Sequence, residues 1–136
     1  MPRVLTVSLL LIALLAAASG PFVVRTGAQA SRPVRHVVVF KYKPDATPAQ
    51  IGKVTEAFRA LATTIPGIIG FEDGVNDSPE GKNQGFTHVY LLTFESAAAR
   101  DAYLPHPAHR KFGEVLRSSG IFVDAFVVDY APHTTR

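Results

Sequence analysis

Apolar side chains recur at every second position from Arg35 to Lys43. His36, Val38, Phe40 and Tyr42 fall on one side, Val37, Val39 and Lys41 on the other. A period of two predicts a strand, and apolar residues on both sides imply that both faces are covered. Thr47-Pro48 then opens a helix, with Thr47 as N-cap and Pro48 at the first helical position, where a missing N–H is no loss. Ile51, Val54, Phe58, Leu61 and Ile65 follow in steps of three and four and make one apolar helix face. Pro66-Gly67 stops it. Ile68 to Asn76 reads as a second strand, interrupted by Gly70 and Gly74, and Asp77 to Gly85 as a polar, glycine-rich loop. The clearest alternation runs from Phe86 to Glu95. Phe86, His88, Tyr90, Leu92 and Phe94 share one side; Thr87, Val89, Leu91 and Thr93 share the other. Ser96 caps a helix to Tyr103, Pro105 and Pro107 break it, and a second helical piece runs from Pro107 to Ser118. Ile121 to Tyr130 is the last predicted strand.

A βαββαβ order predicts an α+β, ferredoxin-like domain, with helices on one face of an antiparallel sheet. The other face then carries Val37, Val39, Val89, Leu91, Phe126 and Val128. A monomer rarely exposes so much contiguous apolar surface. Covering several hundred Å2 contributes on the order of ten kcal/mol before association entropy is subtracted. A second copy packed sheet to sheet is therefore expected, giving a dimeric α/β barrel.

The first thirty residues follow different rules. Arg3 precedes a charge-free apolar run from Val4 to Ala18, and Ala28-Gln29-Ala30 offers a small-x-small cleavage site before Ser31. These are the marks of a secretory signal peptide, which predicts a leader over residues 1–30, a domain over residues 31–136 and a secreted or periplasmic location. Ser19-Gly20-Pro21 interrupts the apolar run, which argues against an uncleaved anchor that needs about 20 apolar residues. No stable membrane insertion is expected once the leader is removed. Without Arg3 and Arg25 the formal charge of +3 falls to +1, with 12 basic against 11 acidic residues. That is no electrostatic footprint for nucleic acid. The chain has no cysteine, which removes disulfides, thiolate metal sites and a thiol nucleophile.

Chemistry concentrates in Tyr103-Leu104-Pro105-His106-Pro107-Ala108-His109, where a phenol and two imidazoles stand at the mouth of a helix. His36 and His88 occupy matching places on two predicted strands. If those strands are neighbours, the chain builds an apolar pocket rimmed with polar groups, lined by His36, Val38, Phe40, Phe58, His88 and Tyr90 and reached by His106. Other readings stay open. His106 precedes proline and fits a helix cap. His36 and His88 fit structural roles bonded to backbone. Three imidazoles can hold zinc, although no metal is expected here.

His36-Val37-Val38-Val39-Phe40-Lys41, Gly85-Phe86-Thr87-His88, Leu92-Thr93-Phe94-Glu95-Ser96 and the segment from Tyr103 to Phe112 together resemble the stress-responsive A/B-barrel (Dabb) family, over Val34 to Pro132. The resemblance implies a ferredoxin-like dimeric barrel. It also implies a possible activity, because a plant polyketide cyclase of this kind closes a ring by aldol condensation without a cofactor. By that resemblance His109 is the base, Tyr103 positions the substrate, and His36 and His88 line the pocket. Phe58 stands where that cyclase carries a pocket tyrosine, so its substrate does not transfer. Two functions follow as expectations: an exported homodimer that binds a small apolar or aromatic ligand or acts in a stress response, or a cofactor-free cyclase or lyase using His109 and Tyr103.

Overall fold

The computed structural model describes residues 32–133, so the leader predicted over residues 1–30 lies outside the described residues. The elements run β1 (Val34–Tyr42), α1 (Pro48–Arg59), α2 (Leu61–Thr64), β2 (Ile68–Val75), β3 (His88–Phe94), α3 (Ala97–Tyr103), α4 (Pro107–Ser118) and β4 (Phe122–Tyr130). The strands form one antiparallel sheet in the order β2-β3-β1-β4. This is the expected ferredoxin-like α+β layer.

Thr47 caps α1 as predicted. Its side chain accepts from the Gln50 N–H while the Gln50 side chain reaches back to the Thr47 N–H, so two otherwise orphaned donors are satisfied. The predicted single helix to Ile65 is two helices joined at Ala60. The apolar stripe continues through the joint, and Val54, Phe58, Leu61 and Ile65 are all buried. Gly67 then turns the chain into β2 with φ of +88°, and a Cβ there would lie 2.6 Å from the Ala99 Cβ. Glycine is required twice over, by backbone and by space.

β1 is one of the two inner strands, and every second residue from Val34 to Tyr42 is buried. These side chains meet Tyr90, Leu92 and Phe94 of β3 and the inner faces of the helices. The middle of the core is aromatic. Phe58 and Phe112 stack with centroids 4.4 Å apart, and Phe40 lies 5.8 Å from Phe58 and 5.1 Å from Tyr90. Each such ring contributes about 1.5–3 kcal/mol on burial.

The bare face of the sheet is as expected. Register sets Val39 between Val89 and Phe126, and Val37 between Leu91 and Val128. Phe126 remains 53% exposed. One expectation fails at its edge. β3 starts at His88, and Phe86 is not on the His88 side. Gln84 and Gly85, both at positive φ, turn the chain just before the strand. A period of two does not survive such a turn. Phe86 instead packs edge-on against Phe126 on the bare face, under the Lys41 ammonium.

Candidate functional site

The turn between α3 and α4 places the chemistry. A residue before proline is driven to extended backbone, and His106 adopts φ −61° and ψ 137°. Its ring Nδ1 accepts from the Ala108 N–H at 3.1 Å, so His106 caps α4, as one of its two readings held. Tyr103 ends α3 facing inward, and His109 enters the first turn of α4. Their ring centroids lie 4.2 Å apart.

His109 bonds through Nδ1 to the Leu104 carbonyl at 3.0 Å. A carbonyl only accepts, so the proton sits on Nδ1, and in the neutral ring the Nε2 lone pair is left free. Tyr103 is 0% exposed, and its hydroxyl has no hydrogen-bond partner among the described residues. Burial, then the negative charge of Asp129, push the phenol up from its ordinary value. Tyr103 therefore stays protonated, a donor with nothing to donate to.

His36 completes this end. It is 6% exposed, with its ring 5.7 Å from Tyr103 and 6.0 Å from Phe94. Its Nδ1 meets the Asp129 Oδ1 at 2.6 Å, and Arg100 donates to the other oxygen of the same carboxylate. Burial alone would raise the Asp129 carboxyl. The bonds from His36 and Arg100 outweigh it and hold the group below the usual carboxylate value. Asp129 and Arg100 are absent from the sequence reading. The available signal was a lone carboxylate in the run Phe126-Val127-Val128-Asp129-Tyr130, which requires a partner once β4 lies beside β1; Asp129 pairs in register with His36.

His88 does not join them. β1 and β3 are indeed neighbours, but antiparallel: His36 pairs with Leu92 and His88 with Phe40. At about 3.3 Å per residue the two imidazoles are roughly 13 Å apart along the strands. Matching places in sequence become opposite ends in space. The His88 ring packs 5.0 Å from Tyr42, and its Nδ1 meets Thr87 Oγ1 at 2.9 Å. Beside it runs a closed hydroxyl chain, Tyr42 to Tyr90 at 3.2 Å and Tyr90 to Thr55 at 2.8 Å. Val38, Phe40, Phe58 and Tyr90 all lie in the buried core cluster. Among the described residues no group of three or more His, Asp or Glu side chains is arranged to hold a metal ion.

Two cavities flank the interior. One of about 410 Å3 runs along the outer side of α4, lined by Leu104, His109, Arg110, Gly113, Glu114 and Arg117. Another of about 370 Å3 opens on the bare sheet face, with Val39, Phe86, Val89 and Phe126 as its floor and Lys82 at its rim.

A ferredoxin-like sheet with a tyrosine and histidines at one end of its covered face defines a class that comparison makes specific. Residues 34–132 match the stress responsive A/B barrel domain, and the chain belongs to that family. It is 33% identical over 104 residues to the stress-response A/B barrel domain-containing protein HS1 of Arabidopsis thaliana, covering 76% of this chain and 94% of that protein. It is likewise 33% identical over 99 residues to olivetolic acid cyclase of Cannabis sativa, covering 73% of this chain and 96% of the cyclase. Among solved structures, a hydroxynitrile lyase from Passiflora edulis superposes with a TM-score of 0.68 at 25% identity, over 77% of this chain and 97% of the lyase. A dimeric ferredoxin-like protein of unknown function from Jannaschia gives a TM-score of 0.62 at 28% identity, over 74% of this chain and 99% of that one.

Proposed function

We propose that this protein binds a small enolisable carbonyl compound at Tyr103 and His109 and moves a proton on it, in cyclase or lyase chemistry without a cofactor. The observation that carries the reading is the buried, unpartnered Tyr103 hydroxyl beside a histidine whose tautomer is fixed. The His109 Nε2 takes a proton from carbon alpha to a carbonyl. The electron pair moves to the carbonyl oxygen, and the Tyr103 O–H bonds that oxygen as its charge grows. His36, held by Asp129, forms the wall beyond Tyr103. A cyclase among the relatives and a lyase among the structural neighbours support this class. The test is deuterium exchange at the alpha carbon of an enolisable ketone, followed by NMR. Wild type accelerates exchange, and His109→Ala loses the acceleration.

A second reading, binding without turnover, has one observation in its favour. Phe40, Phe58, Tyr90 and Phe112 fill the interior behind the site with closely packed rings. Wild-type protein that binds the ketone but exchanges it no faster than buffer supports that reading and removes the first.

The assembly proposed is a homodimer through the face of Val37, Val39, Val89, Leu91, Phe126 and Val128, in keeping with the dimeric neighbour. Val89→Asp places a charge in that face, where desolvation costs several kcal/mol. Light scattering should find the mutant monomeric or aggregated; a monomeric wild type at micromolar concentration would contradict the dimer. Export with cleavage after Ala30 is proposed from the leader pattern. N-terminal sequencing of protein from the native host should begin at Ser31, and a cytosolic chain starting at Met1 would refute it.

A further inference from the structure

The groove outside α4 carries a charge pattern that the proposed chemistry leaves unused. Arg110 and Arg117 are seven residues apart, two turns of helix, and so lie on one side of α4. The Arg110 guanidinium donates to the Pro105 carbonyl, just as the preceding His109 is bonded to the Leu104 carbonyl. Two consecutive carbonyls thus hold two consecutive side chains in place. Arg117 folds back over Gly113. A Cβ at Gly113 would lie 3.3 Å from its guanidinium, so the glycine makes the room that the arginine occupies. Gly113 follows His109 by four residues, about 6 Å along the axis. Arg117 has no ion-pair partner among the described residues. Two guanidiniums and the Glu114 carboxylate line the groove, a local charge of one positive unit.

We infer that this groove seats a carboxylate, and that the substrate is a small oxo-acid whose anionic end lies on Arg117 and Arg110 while its enolisable carbon faces His109. The inference rests on His109 being the base. The single net charge favours a monoanionic carboxylate over a dianionic phosphate, because Glu114 opposes a second negative charge. A guanidinium offers a carboxylate two parallel N–H donors, which fixes direction as well as position. The proton leaves the carbon flanked by the keto group and the carboxylate and passes to the His109 Nε2. The electrons go to the keto oxygen.

The experiment compares benzoylacetate with its uncharged ethyl ester by calorimetric titration, in wild type and three variants. Arg117→Gln should weaken the acid by about tenfold or more and leave the ester unchanged. Gly113→Ala should weaken the acid, less than Arg117→Gln does, by shifting the Arg117 guanidinium a few tenths of an ångström, while its melting temperature is no lower than wild type, since alanine favours helix over glycine. A loss there cannot be blamed on misfolding. His109→Phe should keep the Arg117-dependent preference for the acid while losing deuterium exchange. Equal affinity for acid and ester in wild type, or acid affinity unaltered in both the Arg117 and Gly113 variants, overturns the carboxylate seat. Exchange without Arg117 dependence leaves the base standing and removes the seat. Arg117-dependent binding without exchange keeps the seat and removes the base.

Discussion

The covered face of the sheet has two polar ends, and they differ in one respect. At one end Tyr42, Tyr90 and Thr55 close a chain of hydroxyls in which each oxygen has a partner. At the other, the Tyr103 hydroxyl has none among the described residues. Both phenols at issue are buried and both are pushed up, Tyr42 by burial and then by its bond to Tyr90, Tyr103 by burial and then by Asp129. Burial alone therefore does not separate structure from function; satisfaction does. A closed network lowers the energy of the folded chain. An open donor raises it until a ligand supplies the acceptor.

The largest expected effect breaks the open end. His109→Ala should cost about 100- to 10,000-fold in proton transfer, or about 3 to 5 kcal/mol of barrier, measured by the deuterium exchange described above. Its melting temperature should barely move, because the bond to Leu104 is at the surface. A pair of matched substitutions then sharpens the contrast through its sign. Tyr90→Phe leaves the Tyr42 and Thr55 hydroxyls without their shared partner and should lower stability by about 1–3 kcal/mol in urea titration. Tyr103→Phe removes a hydroxyl that bonds to nothing among the described residues, so stability should hold or rise, while exchange activity falls. Equal losses in both would erase the distinction drawn here.

Asp129→Asn is smaller and depends on pH. The Asp129 carboxyl is held below its ordinary value of 3.8 in the folded chain. Its contribution is therefore complete above the unfolded value and is lost as pH falls through the lower, folded one. Wild type should lose stability along that acid limb, and Asp129→Asn should start lower, by about 1–2 kcal/mol, with a flatter limb. The smallest effect belongs to His88, whose value burial lowers from 6.5. Below 6.5 the unfolded chain takes a proton that the folded ring resists, so stability declines as pH falls. His88→Gln should remove that slope while leaving exchange activity intact.

Much of the architecture was legible because period and punctuation agree. Thr47-Pro48, Pro66-Gly67, Ser96 and His106-Pro107 mark ends by backbone chemistry that needs no tertiary context. The bare sheet face was legible as well, because alternation on β1, β3 and β4 reports both sides of a strand. Three features were not. Register along the antiparallel pair decides whether His36 and His88 meet, and alternation within each strand carries no register. Phe86 changes sides because left-handed backbone at Gln84 and Gly85 ends the period. Asp129 and Arg100 acquire meaning only when β4 is laid against β1, across nearly the whole domain. The histidine and tyrosine of the α3–α4 turn were visible as a cluster. Their difference in satisfaction is a property of packing alone.

The pairing of β1 with β4 has a consequence during synthesis. Among the described residues β1 is made first, and β4, which covers its outer edge from Arg35 to Tyr42, is made last. A nascent chain displays the valine-rich edge of β1 until the final strand has left the ribosome. Closing so long a loop is slow compared with forming a local hairpin. For that interval any strand-like segment of a neighbouring chain competes for the same row of N–H and C=O groups. The moment at which this domain is most open to aggregation is thus set by the order of its strands, and it ends only with residues 122–130.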